Sequence, residues 1–326
     1  MAQKAPGKSH REGISLTKLV RMFPDDETAR EWIEGVVWPD GPFCPRCGSF
    51  DVQSGIKHKT MTHRCRDCDG KPRFSVKTGT VMQSSKLGYQ TWAIAAYLVT
   101  TNLKGVSSMK LHRDLEITQK SAWHLAHRLR KAFEQGQPLF SGPVEADETY
   151  IGGKRKNMSN AKRKTLTGRG AVGKTAVVGA KDRETNQIAA TPVPGTSAPY
   201  LAGFVAQRTE LGATVYTDDA AAYGPLQGPF DHAAVNHSAG EYVRGDAHTN
   251  GMESFWSMLK RGYQGTFHKI SPKHLDRYCQ EFAARHNQRE ADTLDQMTGI
   301  VAGMSGKRLR YSDLIADNGL DSGARS

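Results

Sequence analysis

Two pairs of cysteines limit what residues 43–77 can fold into. Cys44 and Cys47 form one Cys-x2-Cys pair, and Cys65 and Cys68 form a second pair after 17 intervening residues. Each pair can place two thiolates on one tight turn, and two such turns brought together complete a tetrahedral zinc site. A segment this short buries too little apolar surface to be stable by itself, so one structural Zn²⁺ is expected to stabilise it. Four reduced thiols without metal are the alternative.

The charge of the whole chain favours nucleic acid as a partner. The 326 residues include 45 Lys and Arg against 33 Asp and Glu, which gives a formal net charge of +12. Hydrophobic residues make up 37% of the chain, so wholesale disorder is not expected. No apolar run approaches the roughly 18 residues of a membrane span, and the basic N-terminus has no apolar stretch behind it. A soluble intracellular protein without a membrane partner is therefore expected.

The residue pattern divides the chain into segments. A basic tail at residues 1–14 is expected to be disordered, and a polar tail is expected over residues 305–326. Residues 15–80 predict a helical lead-in followed by the cysteine module. Residues 86–135 predict a set of helices, and strand-like runs are mixed with helix-like runs over residues 143–290. This last pattern predicts an α/β domain.

The helical segment has the outline of a helix-turn-helix. One helix is predicted to begin near Ser107, and another is predicted to begin after Thr118, which can serve as its N-cap. Side chains near the start of the second helix of such a motif can reach base edges in the major groove. The side chains expected to contact DNA here are Gln119, Lys120, His124 and Arg128. A helical bundle that binds no nucleic acid is the alternative.

The strand predicted over residues 144–151 carries polar side chains whose faces can be assigned. Because side chains alternate across a strand, Glu145, Asp147 and Thr149 share one face. Glu148 is assigned to the other face. Alternation therefore leaves two carboxylates, Glu145 and Asp147, on the same face of this strand.

A strongly basic stretch follows this strand. Seven basic residues and no acid lie between residues 154 and 170. A solvated loop and a surface that contacts the DNA backbone are the two interpretations of such a stretch. The residues expected to contact DNA from it are Lys154, Arg155, Lys156, Arg163 and Lys164.

Two further acids lie on elements whose ends can meet Asp147. Asp218 directly follows a predicted strand, and Glu253 lies on a predicted helix, beside its apolar stripe. Asn250 precedes Glu253 by one turn, and Lys260 follows it by two turns. Carboxylates brought together in this way can hold Mg²⁺, which prefers oxygen ligands. Spacing alone favours the alternative, three unrelated surface acids.

Several motifs together resemble those of a known protein family. They are Phe23-Pro-Asp25, Trp38-Pro-Asp-Gly-Pro-x-Cys-Pro-x-Cys-Gly48, Phe74-Ser-Val-Lys-Thr-Gly-Thr80, Val144-Glu-Ala-Asp-Glu-Thr-Tyr-Ile-Gly-Gly-Lys154, Thr217-Asp218 with Tyr223, Gly240-Glu-Tyr-Val-Arg-Gly-Asp-x-His-Thr-Asn-Gly-x-Glu-Ser-Phe-Trp-Ser-x-Leu-Lys-Arg-Gly262 and Glu281-Phe-x-x-Arg-x-Asn287. Over about residues 15–290 the chain resembles bacterial insertion-sequence transposases of the DDE class, in the subgroup with an N-terminal zinc ribbon.

The resemblance implies a fold and a set of catalytic residues. It implies an RNase H-like mixed sheet flanked by helices, preceded by the zinc ribbon and the helix-turn-helix-like segment. Asp147, Asp218 and Glu253 would hold two Mg²⁺ (or Mn²⁺) ions, and Lys260 matches a basic residue that such enzymes place after the third acid. Some members of the subgroup carry asparagine as the third ligand, so Asn250 is the alternative to Glu253.

The resemblance also implies an activity. Such enzymes bind the terminal inverted repeats of their element, cut to free a 3′-OH, and direct that 3′-OH at target DNA. The partners implied are double-stranded DNA, both transposon ends and target, and further copies of the chain in a synaptic homodimer or larger complex. The location implied is the bacterial cytoplasm, at the nucleoid. The alternatives are a catalytically inactive DNA-binding regulator derived from a transposase, and a nuclease for RNA/DNA hybrids.

Overall fold

The computed structural model describes residues 13–134, 136, 139–168, 170–235 and 247–321 of the chain. They form two compact units. The first comprises residues up to 134 together with residues 288–316, and the second comprises residues between 136 and 287 together with residues 317–321. All but the last two residues of the predicted basic tail, and the last five residues of the predicted polar tail, lie outside the described residues.

The elements alternate between helix-rich and strand-rich stretches. The helices are α1 (Leu16–Met22), α2 (Asp26–Val37), α3 (Tyr89–Thr101), α4 (Ser108–Asp114), α5 (Gln119–Ala132), α6 (Asn160–Thr165), α7 (Ala198–Ala206), α8 (Asn250–Gly262), α9 (Pro272–Asn287), α10 (Thr293–Ala302) and α11 (Tyr311–Ile315). The strands are β1 (Val52–Ser54), β2 (His63–Cys65), β3 (Arg73–Phe74), β4 (Val144–Ile151), β5 (Thr175–Asp182), β6 (Ile188–Val193), β7 (Thr214–Asp218) and β8 (Asp231–Val235). Among the described helices, none is both long and apolar enough to cross a membrane.

The cysteine module is a small antiparallel sheet. Strands β1, β2 and β3 lie side by side in that order, and β2 pairs with both neighbours. The buried rings of Trp38, His63 and Phe74 pack together beside this sheet, with the Trp38 ring 5.0 Å from the His63 ring and 6.0 Å from the Phe74 ring. These three rings supply most of the local apolar contact, so the module has only a minimal core of its own.

Helices α3, α4 and α5 form the predicted helical segment. Ser107 Oγ accepts a hydrogen bond from Lys110 N at the start of α4, and Thr118 Oγ1 accepts one from Ser121 N at the start of α5. The N-cap at Thr118 and the start of a helix near Ser107 were both predicted from the sequence and are confirmed. The polar face of α5 is less exposed than its sequence indicates, because Arg128 is buried together with the apolar side of the helix.

Residues 305–316 differ from the predicted polar tail. Ser305 forms an antiparallel bridge with Thr80, and Lys307 Nζ donates a hydrogen bond to the Ala132 carbonyl at the end of α5. Leu309 and Leu314 are buried, and α11 begins after Leu309. The segment is therefore an ordered part of the first unit up to residue 316. Its few apolar side chains lie among basic ones in the sequence, so the residue pattern alone does not predict that they are buried.

The second unit is built on a mixed five-stranded sheet. The strand order is β6-β5-β4-β7-β8, in which β4, β5 and β6 are antiparallel while β4 and β8 run parallel to β7. Helices α8 and α9 cover one face, where Met252, Trp256 and Phe282 are buried. Helix α7 and the 3₁₀ turn Ala221–Leu226 cover the other face. The predicted α/β fold with a mixed sheet flanked by helices is confirmed.

Candidate functional site

Strand pairing brings two of the predicted carboxylates together. Strands β4 and β7 pair in parallel through Val144 with Val215 and Glu145 with Tyr216. The same register, continued by two residues, places Asp147 beside Asp218 at the end of β7. One carboxylate oxygen from each lies within 4.8 Å of the other. The structure thus joins Asp147 and Asp218, the two acids that the family resemblance places in one site, although spacing alone favoured unrelated surface acids.

A third carboxylate, Glu148, completes this acidic cluster. Its carboxylate also lies within 4.8 Å of those of Asp147 and Asp218. Glu148 leaves β4 on the opposite face from Asp147, and its Oε2 accepts a hydrogen bond of 2.9 Å from the buried Tyr223 hydroxyl. The side chain is long enough to converge with Asp147 where pairing between β4 and β7 has ended. Sequence reasoning placed Glu148 on the other face and missed it.

Burial and like charge disfavour the ionised forms of Asp147 and Glu148 in the acidic cluster. Burial, followed by the charges of Glu148 and Asp218, raises the pKa of Asp147 from 3.8 to about 7. Burial and then the Asp218 charge raise the pKa of Glu148. Burial and the nearby Glu148 carboxylate also raise the pKa of Tyr223, which therefore remains a hydrogen-bond donor. Such a concentration of like charge favours a bound cation.

Helix α8 is held directly against Asp147. The Trp256 indole Nε1 donates a hydrogen bond of 3.0 Å to Asp147 Oδ2. This approach requires the glycine at position 179, which pairs with Asp147 across β4 and β5. A Cβ atom there would lie 2.4 Å from Met252 Cε and 2.7 Å from the Trp256 ring. Gly179 therefore lets α8 lie close to the sheet, where its indole fixes the orientation of the Asp147 carboxylate.

The N-terminus of α8 is capped from strand β4. Thr249, the N-cap residue, makes no side-chain capping bond. Instead the buried Glu145 carboxylate accepts hydrogen bonds from Gly251 N at 2.7 Å and Met252 N at 3.1 Å. Its other oxygen accepts a hydrogen bond of 2.8 Å from Arg183 Nε. This arrangement ties α8 to the strand that carries Asp147, and the negative charge complements the helix dipole.

Replacing Glu145 by alanine is expected to destabilise the second unit by about 3–5 kcal/mol, because it leaves the guanidinium of Arg183 and two helix N–H groups without their buried acceptor. Urea denaturation followed by circular dichroism measures this loss. Glu184→Ala, which removes an exposed carboxylate close to Arg183 in the chain, is the matched control and should change the midpoint little. Equal midpoints for the two variants would contradict a capping role for Glu145.

The other predicted site residues of α8 lie outside the acidic cluster. Met252, Phe255, Trp256 and Leu259 form the buried stripe, as predicted. Glu253, Asn250 and Lys260 are exposed on the adjacent stripe. Trp256, which contacts Asp147, follows Glu253 by three residues and precedes Lys260 by four, so both are neighbours of Trp256 along the surface of the helix.

The four paired cysteines form a second candidate metal centre. The Sγ atoms of Cys44 and Cys68 are 3.8 Å apart, and those of Cys47 and Cys65 are 3.7 Å apart. Zn–S bonds of about 2.3 Å in a tetrahedron place the sulfur atoms about 3.8 Å from one another. The thiols therefore fit one zinc ion with its full set of protein ligands, which is typical of a structural site.

The predicted DNA-contacting residues fall into two environments. Gln119 and Lys120 are exposed at the start of α5, whereas His124 and Arg128 line a cavity. The basic residues after β4 are exposed on a 3₁₀ turn and on α6, namely Lys154, Arg155, Lys156, Arg163 and Lys164. Arg155 donates to the carbonyls of Leu166 and Gly168, which stabilises this basic segment.

Comparison with known proteins decides the family. Residues 139–287 match the ISXO2-like transposase domain, and residues 24–71 match the transposase zinc-ribbon domain. The chain belongs to the insertion-sequence transposases of the DDE class. A similar chain is the "uncharacterized protein in transposable element ISH50" of Halobacterium salinarum, which is 29% identical over 276 residues, covering 82% of this chain and 92% of the relative.

Family membership identifies both the fold of the second unit and the cysteine cluster. The mixed sheet of this transposase is the RNase H-like core of its DDE domain, and the antiparallel module around the four cysteines is its zinc ribbon. The DDE domain implies use of divalent metal and binding of DNA. Both acids that the structure joins, Asp147 and Asp218, lie inside the matched domain.

Proposed function

We propose that this transposase cuts DNA at the ends of its insertion sequence and joins the freed 3′-OH to target DNA. The observation that carries the proposal is the acidic cluster, in which Asp147 and Glu148 from the middle of β4 meet Asp218 from the end of the parallel strand β7. When bound there, two Mg²⁺ (or Mn²⁺) ions would supply activation of the attacking oxygen and stabilisation of the leaving oxygen.

The residues of the site fit divalent cations. Asp147 and Asp218 offer carboxylate oxygens at hydrogen-bonding distance from fixed partners, and burial with like charge raises the pKa of Asp147. In our proposal Asp147, Asp218 and Glu253 bind the metals, and Glu148 is an additional ligand. Asn250 is the alternative to Glu253. A charged carboxylate binds Mg²⁺ better than a neutral amide does, which favours Glu253.

The neighbouring side chains would position the carboxylates and the DNA. Trp256 orients Asp147, and Tyr223 orients Glu148. Lys260, exposed two turns after Glu253, would contact a phosphate near the scissile bond. The basic segment between residues 154 and 164 would contact the DNA backbone, while the zinc ribbon and α5 would recognise the terminal repeats. Two ends must meet for joining, so a homodimer or larger complex acting at the bacterial nucleoid is proposed.

A strand-joining assay tests this function. A labelled duplex that ends at the terminal repeat flanking the gene, with a free 3′-OH, is incubated with the protein, Mg²⁺ and a supercoiled plasmid. We expect labelled plasmid that depends on both the metal and the repeat sequence. A shift of the duplex in a gel without any joined product supports the alternative, an inactive DNA-binding regulator. Metal-dependent cleavage of an RNA/DNA hybrid, without preference for the repeat, would instead indicate the hybrid nuclease.

Substitutions on α8 identify the third ligand. Glu253→Gln is expected to lower strand joining by at least about 10²-fold, whereas Asn250→Ala should lower it by less than about 10-fold, because only the carboxylate adds charge to the metal site. Both side chains are exposed, so neither change should alter the unfolding midpoint. The reverse order of effects would assign the role to Asn250.

A further inference from the structure

A basic cavity lies within the first unit, whereas the acidic cluster belongs to the second unit. It has a volume of about 460 Å³ and is bounded by α5, by residues 83–87 and by residues 308–311. Four lining residues are cationic, and none of the described lining residues is Asp or Glu. The cationic residues are Lys86, Arg128, Arg308 and Arg310. The chain thus surrounds a space of ligand size with positive charge only.

Arg128 is the buried centre of this charge. It is 8% exposed, and its guanidinium donates hydrogen bonds to the carbonyls of Gln83 at 3.1 Å and Leu309 at 3.2 Å. Its Nε also lies 3.1 Å from His124 Nε2. None of these partners is a carboxylate. A buried guanidinium keeps its proton, and an anion in the cavity would offset the cost of burying its charge further than carbonyl oxygens alone do.

The remaining cations stand at the rim, where a ligand enters. Arg308 and Arg310 are exposed, and the Arg308 charge adds to burial in lowering the pKa of Arg128. Arg310 has an acidic neighbour in Asp313, but the two groups are 3.5 Å apart and largely exposed, so water screens their attraction. Arginines that approach from different walls suit the several oxygens of a phosphoryl group.

The cavity opens beside the helix expected to read DNA. The Tyr311 ring lines it, and Lys120 Nζ from the start of α5 lies 4.4 Å above that ring. His124, one turn further along α5, packs edge-on against the same ring at 5.6 Å. In helix-turn-helix complexes, contacts to backbone phosphates flank the recognition helix and fix its register on the duplex.

We propose that this cavity holds one phosphoryl group and that a DNA duplex bound at α5 supplies it from its backbone. Only the source of the phosphoryl group rests on the proposed function. The cavity would anchor the duplex beside α5, with Arg128 at its floor and Arg308 and Arg310 closing around the phosphate oxygens. Base recognition at Gln119 and Lys120 would then start from a fixed register.

The salt dependence of DNA binding tests the proposal. The full chain binds a fluorescent duplex carrying the terminal repeat, without divalent cation, at several salt concentrations. The double variant Arg308→Gln, Arg310→Gln should lower the slope of log affinity against log salt by about 0.9, which corresponds to one lost phosphate contact. Lys18→Gln, Arg21→Gln removes two exposed charges from α1 of the same unit and is the matched control. An equal change in both variants would overturn the proposal.

Chemical protection identifies the source of the phosphoryl group. An arginine-directed reagent labels Arg308 and Arg310, and peptide mass spectrometry measures the extent. The duplex should protect both arginines, and inorganic phosphate or a deoxynucleoside monophosphate should protect them only at far higher concentration. Protection by the mononucleotide but not by the duplex overturns the assignment to DNA, and no protection by any probe overturns the cavity as a phosphate site.

These measurements need neither cleavage nor divalent metal, so they separate the two proposals. A protein that passes both tests but joins no DNA would contradict the proposed function alone. A protein that joins DNA with an unchanged salt slope in the double variant would contradict the cavity alone.

Discussion

Replacing Asp147 by asparagine is expected to lower the rate of Mg²⁺-dependent DNA cleavage by at least about 10³-fold, which corresponds to about 4 kcal/mol in activation free energy. The amide keeps the shape of the side chain and can still accept the hydrogen bond from Trp256. It removes the carboxylate charge that the cation needs. Single-turnover cleavage of a labelled duplex measures the rate.

The same substitution is expected to stabilise the metal-free protein at alkaline pH. The carboxyl titrates near 3.8 when unperturbed, and the folded protein raises its pKa to about 7, so its protonated form is the one that the fold favours. Stability from this group is therefore present at low pH and lost as the pH rises through about 7. After solvent screening, removal of this charge is expected to raise the free energy of unfolding by about 1–2 kcal/mol at pH 8, which corresponds to a rise of about 2–8 °C in Tm.

Thermal unfolding at two pH values checks this sign. The difference between Asp147→Asn and the unchanged protein should be larger at pH 8 than at pH 6, and added Mg²⁺ should raise the Tm of the unchanged protein only. Asp219→Asn removes an exposed acid adjacent to Asp218 and is the matched control, with little effect on either cleavage or Tm. A destabilised Asp147→Asn protein at pH 8 would show that the cluster does not carry the repulsion described here.

Replacing Cys65 by serine is expected to unfold the zinc ribbon. Structural zinc contributes about 10–16 kcal/mol in small cysteine-ligated modules, far more than the few buried rings around Trp38 can replace. Zinc content should fall from one ion per chain to none, and residues 43–77 should become sensitive to protease. The affinity of the protein for the terminal repeat should fall together with the zinc content.

The fifth cysteine provides the control for this experiment. Cys279 is fully buried on α9 in the second unit, far along the chain from the paired cysteines. Cys279→Ser introduces a hydroxyl into the apolar core and can lower the free energy of unfolding, but the zinc content should not change. A Cys65→Ser protein that keeps a protease-resistant ribbon without zinc would contradict the assignment of a structural metal.

Much of the second unit could be predicted from short-range patterns. The alternation in β4 and the apolar stripe of α8 each follow from the period of one element, and both agree with the structure. Strand β8 was missed because its sequence, Asp231 to Val235, is short and only half-buried, so it has neither strict alternation nor an apolar run. Its place in the sheet depends on pairing with β7 rather than on its own sequence.

The acidic cluster includes contacts that such short-range patterns do not predict. Alternation assigned Asp147 to a face of β4 and Asp218 to a strand end, but the parallel pairing of β4 with β7 that brings them together has no local sequence signal. Glu148 could not be assigned to the cluster, since alternation places it on the opposite face of β4. Its carboxylate reaches the cluster only because pairing between β4 and β7 has ended there. Its bond with Tyr223 joins residues 75 apart, which no local spacing reveals. The burial of Arg128 has a similar cause, because residues 308–311 fold over it from the distant end of the chain.

Cleavage at the boundary of the terminal repeat tests whether the acidic cluster of this transposase cuts DNA with divalent metal. A labelled duplex spans the junction between the repeat and its flanking DNA, and the full-length protein is added with Mg²⁺, with Mn²⁺ or without divalent metal. We expect a nick at the junction that needs the metal, tolerates Mn²⁺, and disappears in Asp147→Ala and in Asp218→Ala. Equal cleavage by the unchanged protein and by both variants would contradict it.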